Sequence, residues 1–188
     1  MLDLTPFEDI KPAPRAVFDR LGERRSRVRF MVPEGDDWRA VTWGRYAKLI
    51  NNLGDYLIGT GFEPGQRAAI FAANSVEWMA SAMAIQSLGG VMVPIYPAST
   101  AAQAGYVVRH SDAAVVLVDG KELFTRVLSA WDDYAAVGRL VLFDESLDLA
   151  SVVKTLRDKG ANVPSLEEVE QRVVRLSAAA QRGASRAQ

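Results

Sequence analysis

Residues 64–97 read PGQRAAIFAANSVEWMASAMAIQSLGGVMVPIYP, and this stretch decides the fold class. The apolar run at 67–72 (RAAIFA) has the length of a buried strand, and a second such run begins at Val91 and ends before Pro97, which has no amide donor. The residues between them recur in helical fashion. The sequence therefore predicts a strand–helix–strand unit, with both strands buried.

The helix of this unit carries its own start and stop signals. Asn74 and Glu77 are spaced as a capping box, in which two side chains satisfy free amides of the first turn. Gly89 and Gly90 supply a left-handed stop. The predicted core-facing residues between these signals are Val76, Met79, Ala80, Met83, Ala84 and Leu88.

The same alternation continues on both sides of this unit. Residues 27–43 predict two short strands around a polar turn, and Thr42 predicts the N-cap of a helix that ends near Gly59. Thr100 and Gln103 form a second predicted capping box. Further predicted strands are residues 113–118 and 140–143. Strands and helices joined by short connections indicate an α/β fold, with a mostly parallel sheet covered by helices on both faces in three layers.

The character of the chain changes after Asp144. We predict an α/β subdomain over residues 1–145 and a helical extension over residues 146–188. The extension contains one helix that Gly160 ends, and a second that Ser165 and Glu168 cap. The final stretch, LSAAAQRGASRAQ, loses its periodicity and is predicted to be a frayed tail.

Composition excludes several classes of function. The chain has 188 residues, a net charge of -1, no cysteine and one histidine. These counts exclude disulfide scaffolds, cysteine nucleophiles, zinc fingers and HExxH metalloproteases, and the charge favours no nucleic-acid partner. Residues 78–108 are uncharged, but their glycines and prolines favour buried elements over a transmembrane segment. We expect a cytoplasmic protein.

Each candidate motif for catalysis or cofactor binding has a simpler structural interpretation, which we favour. The glycines at 59–65 follow a helix and favour a helix stop and a turn over a dinucleotide loop, and the glycine spacing at 54–60 lacks the lysine of a phosphate loop. His110 is expected to lie at a helix end. The acidic pairs are expected to be solvated. The arginines at 15–29 are expected to form a solvated or ion-paired face. The tryptophans are expected to pack in the core. We therefore nominate no catalytic, cofactor-binding or metal-binding residue.

The order of residues resembles the opening of AMP-forming acyl-CoA synthetases, members of the adenylate-forming superfamily. The resemblance covers about residues 28–143, and its most specific part is the PGQRAAI…N…EW…GG…VP.YP pattern at 64–97. A PSLEEVE-like helix, here residues 164–170, also occurs in long-chain members. The resemblance implies an incomplete N-terminal subdomain of a larger enzyme and long-chain fatty acids as substrates.

Such enzymes activate a carboxylate with ATP and magnesium, release pyrophosphate, and pass the acyl group to coenzyme A. Their Ser/Thr/Gly-rich loop with its lysine, and their later motifs, do not occur in this sequence. We therefore expect ATP, Mg and CoA to serve only the full-length parent, and this chain alone to be inactive. Its expected partner is the remainder of the enzyme, with self-association through apolar surface left exposed.

Three alternatives stay open from the sequence alone. One is a segment of an aryl-CoA ligase or of a peptide-synthetase adenylation domain, since the segment has no acid-selecting motif. Another is a free-standing truncated relative that acts as an interaction module. A generic nucleotide-binding α/β domain is the least favoured, because the phosphate fingerprint is missing.

Overall fold

The computed structural model describes residues 11–186. Its helices are α1 (Ala13–Phe18), α2 (Leu21–Arg24), α3 (Trp43–Gly59), α4 (Val76–Ser87), α5 (Ala101–His110), α6 (Gly120–Ser129), α7 (Leu149–Asp158), α8 (Leu166–Arg172) and α9 (Leu176–Arg186). Its strands are β1 (Val28–Glu34), β2 (Asp37–Thr42), β3 (Arg67–Phe71), β4 (Val91–Ile95), β5 (Ala113–Val118), β6 (Arg139–Leu142) and β7 (Val173–Arg175). A 3₁₀ turn, Trp131–Tyr134, precedes β6.

The chain divides into two compact units, Met1–Lys48 and Leu49–Gln188. In the first unit, β1 and β2 form the predicted antiparallel hairpin. Thr42 is the predicted N-cap of α3, because its Oγ1 accepts a hydrogen bond of 3.2 Å from the amide of Arg45. The proposed boundary between residues 145 and 146 stays a prediction.

The second unit contains a five-stranded parallel sheet in the order β4-β3-β5-β6-β7. β4 and β5 lie on opposite sides of β3, so the order of the strands reverses at β3. The predicted α/β class and parallel sheet are confirmed.

Helices cover both faces of this sheet. Phe71, Val116 and Leu140 belong to a core cluster that α5, α6, α7 and α8 cover. The alternate strand residues, among them Ile70 and Leu117, are also fully buried and point to the other face. On the remaining side, α4 contacts β3 and β4, and α9 contacts β6 and β7. This confirms the predicted three layers.

Two local predictions differ from the structure. The N-cap of α4 is Ser75, whose Oγ accepts a hydrogen bond of 3.0 Å from the amide of Trp78, so the assignment to Asn74 is wrong by one residue. β4 was predicted to be buried, but it lies at the edge of the sheet and Val91 is 49% exposed. An edge position suits this strand, because Pro94 has no amide to donate to a second neighbour.

The prediction of a frayed tail is wrong for residues 176–186, which form α9. Residues 173–175 form β7, which pairs with β6, and α9 follows directly. The physical reason is close packing: Ala179 and Gly183 are buried, and small side chains let α9 approach the protein closely. No helix within residues 11–186 has both the length and the apolar character that crossing a bilayer requires.

Candidate functional site

The candidate site is the carboxyl edge of the parallel sheet, between β3 and β5. In open α/β sheets, ligands bind outside the carboxyl ends of the strands, where the strand order reverses. Here the reversal lies beside β3, and the amide of Asp119 donates a hydrogen bond of 3.2 Å to the carbonyl oxygen of Phe71. The loops after β3 and β5 therefore meet at this point.

The charges of two carboxylates act on a third carboxyl group at this edge. Asp119 follows β5, Asp144 follows β6, and Glu77 lies in the first turn of α4. Burial raises the pKa of the half-buried Asp119 carboxyl, and the charges of Asp144 and Glu77 raise that pKa further. The edge therefore disfavours additional negative charge.

Two arginines near this edge are already engaged with backbone carbonyls. Arg126 donates from Nη1 to the carbonyl oxygens of Pro97 at 2.7 Å and Ser99 at 2.8 Å. Arg175 donates from Nη1 to the carbonyl oxygen of Asp144 at 2.6 Å. These side chains hold the loops that follow β4 and β6, so their guanidinium donors are occupied by the protein itself.

The chemistry of these groups does not fit nucleotide phosphates. A transferring phosphoryl or adenylyl group needs converging amides, Lys or Arg side chains, or a bound metal. The carboxylates of Glu77, Asp119 and Asp144 would repel it instead. Among residues 11–186, no cluster of three or more His, Asp or Glu side chains is arranged to hold a metal ion.

The glycine run at 59–65 forms a helix stop and a turn. Gly61 and Gly65 both have a φ of +83°, which an L side chain rarely adopts. The amide of Gly65 donates to the carbonyl oxygen of Gly89 at 2.9 Å, so this turn supports the start of β4. The run lies at the amino end of β3, away from the candidate site.

The side chains of His110, Asp133 and Glu168 each contact a neighbouring residue of the fold. His110 is exposed and stacks on Tyr106, with ring centroids 5.3 Å apart. Asp133 forms an ion pair of 2.8 Å with Arg109. The Glu168 side chain accepts from the amide of Ser165, which completes the predicted capping box of α8.

Other residues considered in the sequence belong to the first unit. Asp36 and Asp37 lie at the turn of the hairpin. The guanidinium of Arg29 stacks over the ring of Trp43 at 4.0 Å, so part of the arginine cluster covers aromatic side chains. As predicted from their spacing, Trp43 and Tyr46 are buried.

Sequence reasoning missed the acidic group at the carboxyl edge. Its members are far apart in the chain, whereas the acidic pairs that stand out in the sequence are adjacent residues. A usable signal was present, since Asp119 and Asp144 each come just after a predicted apolar strand. Parallel strands bring such residues to one edge.

Known proteins show the same fold. A family model described as "AMP-binding enzyme" matches residues 18–179. The chain is 25% identical over 134 residues to the long-chain-fatty-acid–CoA ligase ACSBG1 of Rattus norvegicus, a match covering 71% of this chain and 17% of that protein. It is 32% identical over 98 residues to fatty acyl-CoA synthetase A of Dictyostelium discoideum, covering 51% of this chain and 15% of that protein.

A solved structure agrees with this match. The benzoate CoA ligase from Burkholderia xenovorans LB400 superposes with a TM-score of 0.62 at 20% identity, over 83% of this chain and 30% of the other. At this identity the likeness shows the fold alone. The chain spans about one sixth of the length of the curated relatives named above, whose matched shares are 17% and 15%.

Proposed function

The chain belongs to the family of AMP-binding enzymes, and we propose that it is the N-terminal scaffold segment of a long-chain acyl-CoA synthetase. The complete enzyme would activate a fatty acid with ATP and magnesium, release pyrophosphate, and transfer the acyl group to coenzyme A. The names of ACSBG1 and of the Dictyostelium relative support the substrate class. The parts that bind ATP, magnesium and coenzyme A would lie in the remainder of the enzyme.

The proposal that this chain is a scaffold segment, without a phosphate-binding site of its own, rests on the composition of its carboxyl edge. The charges of Glu77 and Asp144 act on the Asp119 carboxyl there, and donors of Arg126 and Arg175 are taken by backbone carbonyls. Such an edge can position neighbouring elements but cannot neutralise the phosphates of ATP. The chain alone would therefore be inactive.

The first experiment tests inactivity directly. The purified 188-residue chain is incubated with ATP, magnesium and palmitate, and the exchange of pyrophosphate into ATP is measured. No exchange above the blank is expected. Exchange at a rate typical of enzymes would overturn the assignment of this chain as a scaffold segment, because such exchange would require a phosphate-binding site in this chain.

A second experiment tests the ligase function. Reading the coding sequence past Gln188 should show a Ser/Thr/Gly-rich loop followed by a lysine. The protein encoded by that longer sequence should form palmitoyl-CoA. Preferential formation of benzoyl-CoA would instead favour the aryl-CoA ligase alternative, which the fold of the Burkholderia enzyme also accommodates.

The interaction-module alternative has its own test. A stop codon directly after Gln188, together with a native protein of 20.5 kDa, would favour it over the ligase. We further propose a cytoplasmic location for the enzyme, to be checked by fractionating cells and probing for the native protein. Recovery in the membrane fraction after a salt wash would contradict that location.

A further inference from the structure

One face of the β1–β2 hairpin is apolar and exposed. The register pairs Met31 with Ala40 and Pro33 with Trp38, so these four side chains share one face. All four are exposed, including Trp38 at 62% and Met31 at 52%. We call these four residues the outer hairpin face. The opposite face is better covered, since Val41 is buried.

The two ends of the hairpin carry opposite charge. The turn end, which we call the acidic tip, contains Glu34, Asp36 and Asp37. The other end, which we call the basic end, contains four exposed arginines, namely Arg24, Arg25, Arg27 and Arg29. Arg39 pairs with Glu34 at 3.6 Å and offsets part of the acidic charge at the tip.

We propose that the outer hairpin face is an interface between two copies of this chain, stacked face to face with their strands antiparallel. A strand of seven residues is about 23 Å long, which exceeds the Debye length of about 8–10 Å, so the two ends act separately. Antiparallel stacking places the acidic tip of each copy against the basic end of the other. Parallel stacking would place like charges together.

The charge pattern favours a second copy over a lipid surface. An anionic membrane attracts unpaired basic residues around exposed tryptophan, but Asp36 and Asp37 precede Trp38, and its basic neighbour Arg39 is paired with Glu34. A two-fold axis satisfies both ends of the hairpin at once, since the same patch serves both subunits. This inference does not depend on the proposed ligase function, because its test measures mass and not activity.

The first test is sedimentation equilibrium of the 188-residue chain. We expect a concentration-dependent dimer that weakens in high salt. Trp38→Ser should raise the dimer dissociation constant at least about tenfold. The control, Val91→Ser, also removes a half-exposed apolar side chain from a strand but lies outside the hairpin, and it should leave dissociation unchanged. A monomer at all concentrations, or dissociation caused by Val91→Ser alone, would overturn the proposal.

The second test reverses charge at each end separately. The variant D36K/D37K has two basic ends. The variant R24E/R25E/R27E has two acidic ends, because only Arg29 of the four arginines remains, so each variant alone should be monomeric. A mixture of the two should form a heterodimer, because each basic end then meets an acidic end. Unchanged circular dichroism of each variant controls for folding. A mixture that stays monomeric contradicts the antiparallel arrangement, as does tryptophan-dependent sedimentation of a monomer with phosphatidylglycerol vesicles.

Discussion

The backbone of Gly183 in α9 lies directly against the backbone carbonyl of Asn52 in α3. A β-carbon at residue 183 would be 1.8 Å from that carbonyl oxygen and 2.9 Å from the amide nitrogen of Tyr56. Both contacted atoms belong to the backbone of a helix and cannot rotate away. Glycine is therefore required where these two helices cross.

Gly183→Ala should destabilise the chain by about 1–3 kcal/mol, the usual cost of overpacking. The β-carbon would push α9 away from α3. Urea unfolding gives the stability, and hydrogen exchange shows whether α9 amides lose protection first.

Gly54→Ala is the matched control for this crossing. Gly54 also lies in a helix, but a β-carbon there would meet no atom within 4 Å. Alanine favours a helix by up to about 1 kcal/mol relative to glycine, so this variant should be as stable as the wild type or more so. Equal effects of the two substitutions would contradict the close approach at Gly183.

A second close approach joins Gly105 of α5 to Asp133. A β-carbon at residue 105 would be 2.3 Å from Oδ2 and 2.9 Å from the β-carbon of Asp133, whose other carboxylate oxygen, Oδ1, pairs with Nη1 of Arg109 at 2.8 Å. Gly105→Ala should therefore displace the carboxylate and cost about 1–2 kcal/mol in thermal or urea unfolding.

A double-mutant cycle isolates this contact. Asp133→Ala alone should cost at most about 1 kcal/mol, since its partner Arg109 is largely exposed. In the double variant, Gly105→Ala should cost less than it does in the wild type, because the 2.3 Å contact with the carboxylate is gone and only the 2.9 Å contact with the β-carbon of residue 133 remains. Additive costs would show that the two residues do not interact.

Local signals in the sequence predicted much of this fold. Thr100 and Gln103 form the expected capping box, in which each side chain satisfies an amide near the start of α5. Such motifs involve residues three positions apart and depend on nothing distant. The stop signal at Gly89 also has the expected positive φ of +71°. At Ser75 the same logic failed by one residue, because Asn74 and Ser75 are both good caps.

Features that depend on contacts far along the chain could not be predicted. Residues 176–186 read as a tail, since their small side chains show no periodicity, yet Gly183 is placed by its contact with Asn52. The acidic edge likewise joins Glu77, Asp119 and Asp144 only after the strands have been ordered. Strand order is a property of the whole sheet and leaves no local mark.

The capping box of α5 gives a third prediction. Thr100→Ala removes the Oγ1 that accepts a hydrogen bond of 3.3 Å from the amide of Gln103, and it should cost about 1 kcal/mol. Thr125→Ala is the control, because that hydroxyl lies inside α6 and bonds the carbonyl oxygen of Lys121. Alanine is the better helix former there, so no loss in the urea midpoint is expected. Equal losses would argue against a cap at Thr100.

The carboxyl edge gives a prediction that depends on pH. Burial, followed by the charges of Asp144 and Glu77, raises the pKa of Asp119 above its usual 3.8, although a backbone hydrogen bond from Gly120 offsets part of this effect. The folded chain then binds the proton more tightly than the unfolded chain does. The free energy of unfolding therefore falls as the pH rises from 3.8 through the raised pKa.

Asp119→Asn removes this charge, so the variant should be more stable than the wild type at pH 7. The gain should shrink as the pH falls and vanish below about 3.8, where Asp119 is protonated in both states. Urea unfolding between pH 3.5 and 8 measures this difference. Asp36→Asn, at an exposed turn, should change stability by less than about 0.5 kcal/mol at pH 7. A loss of stability in Asp119→Asn at pH 7 would mean that the ionised carboxylate stabilises the edge.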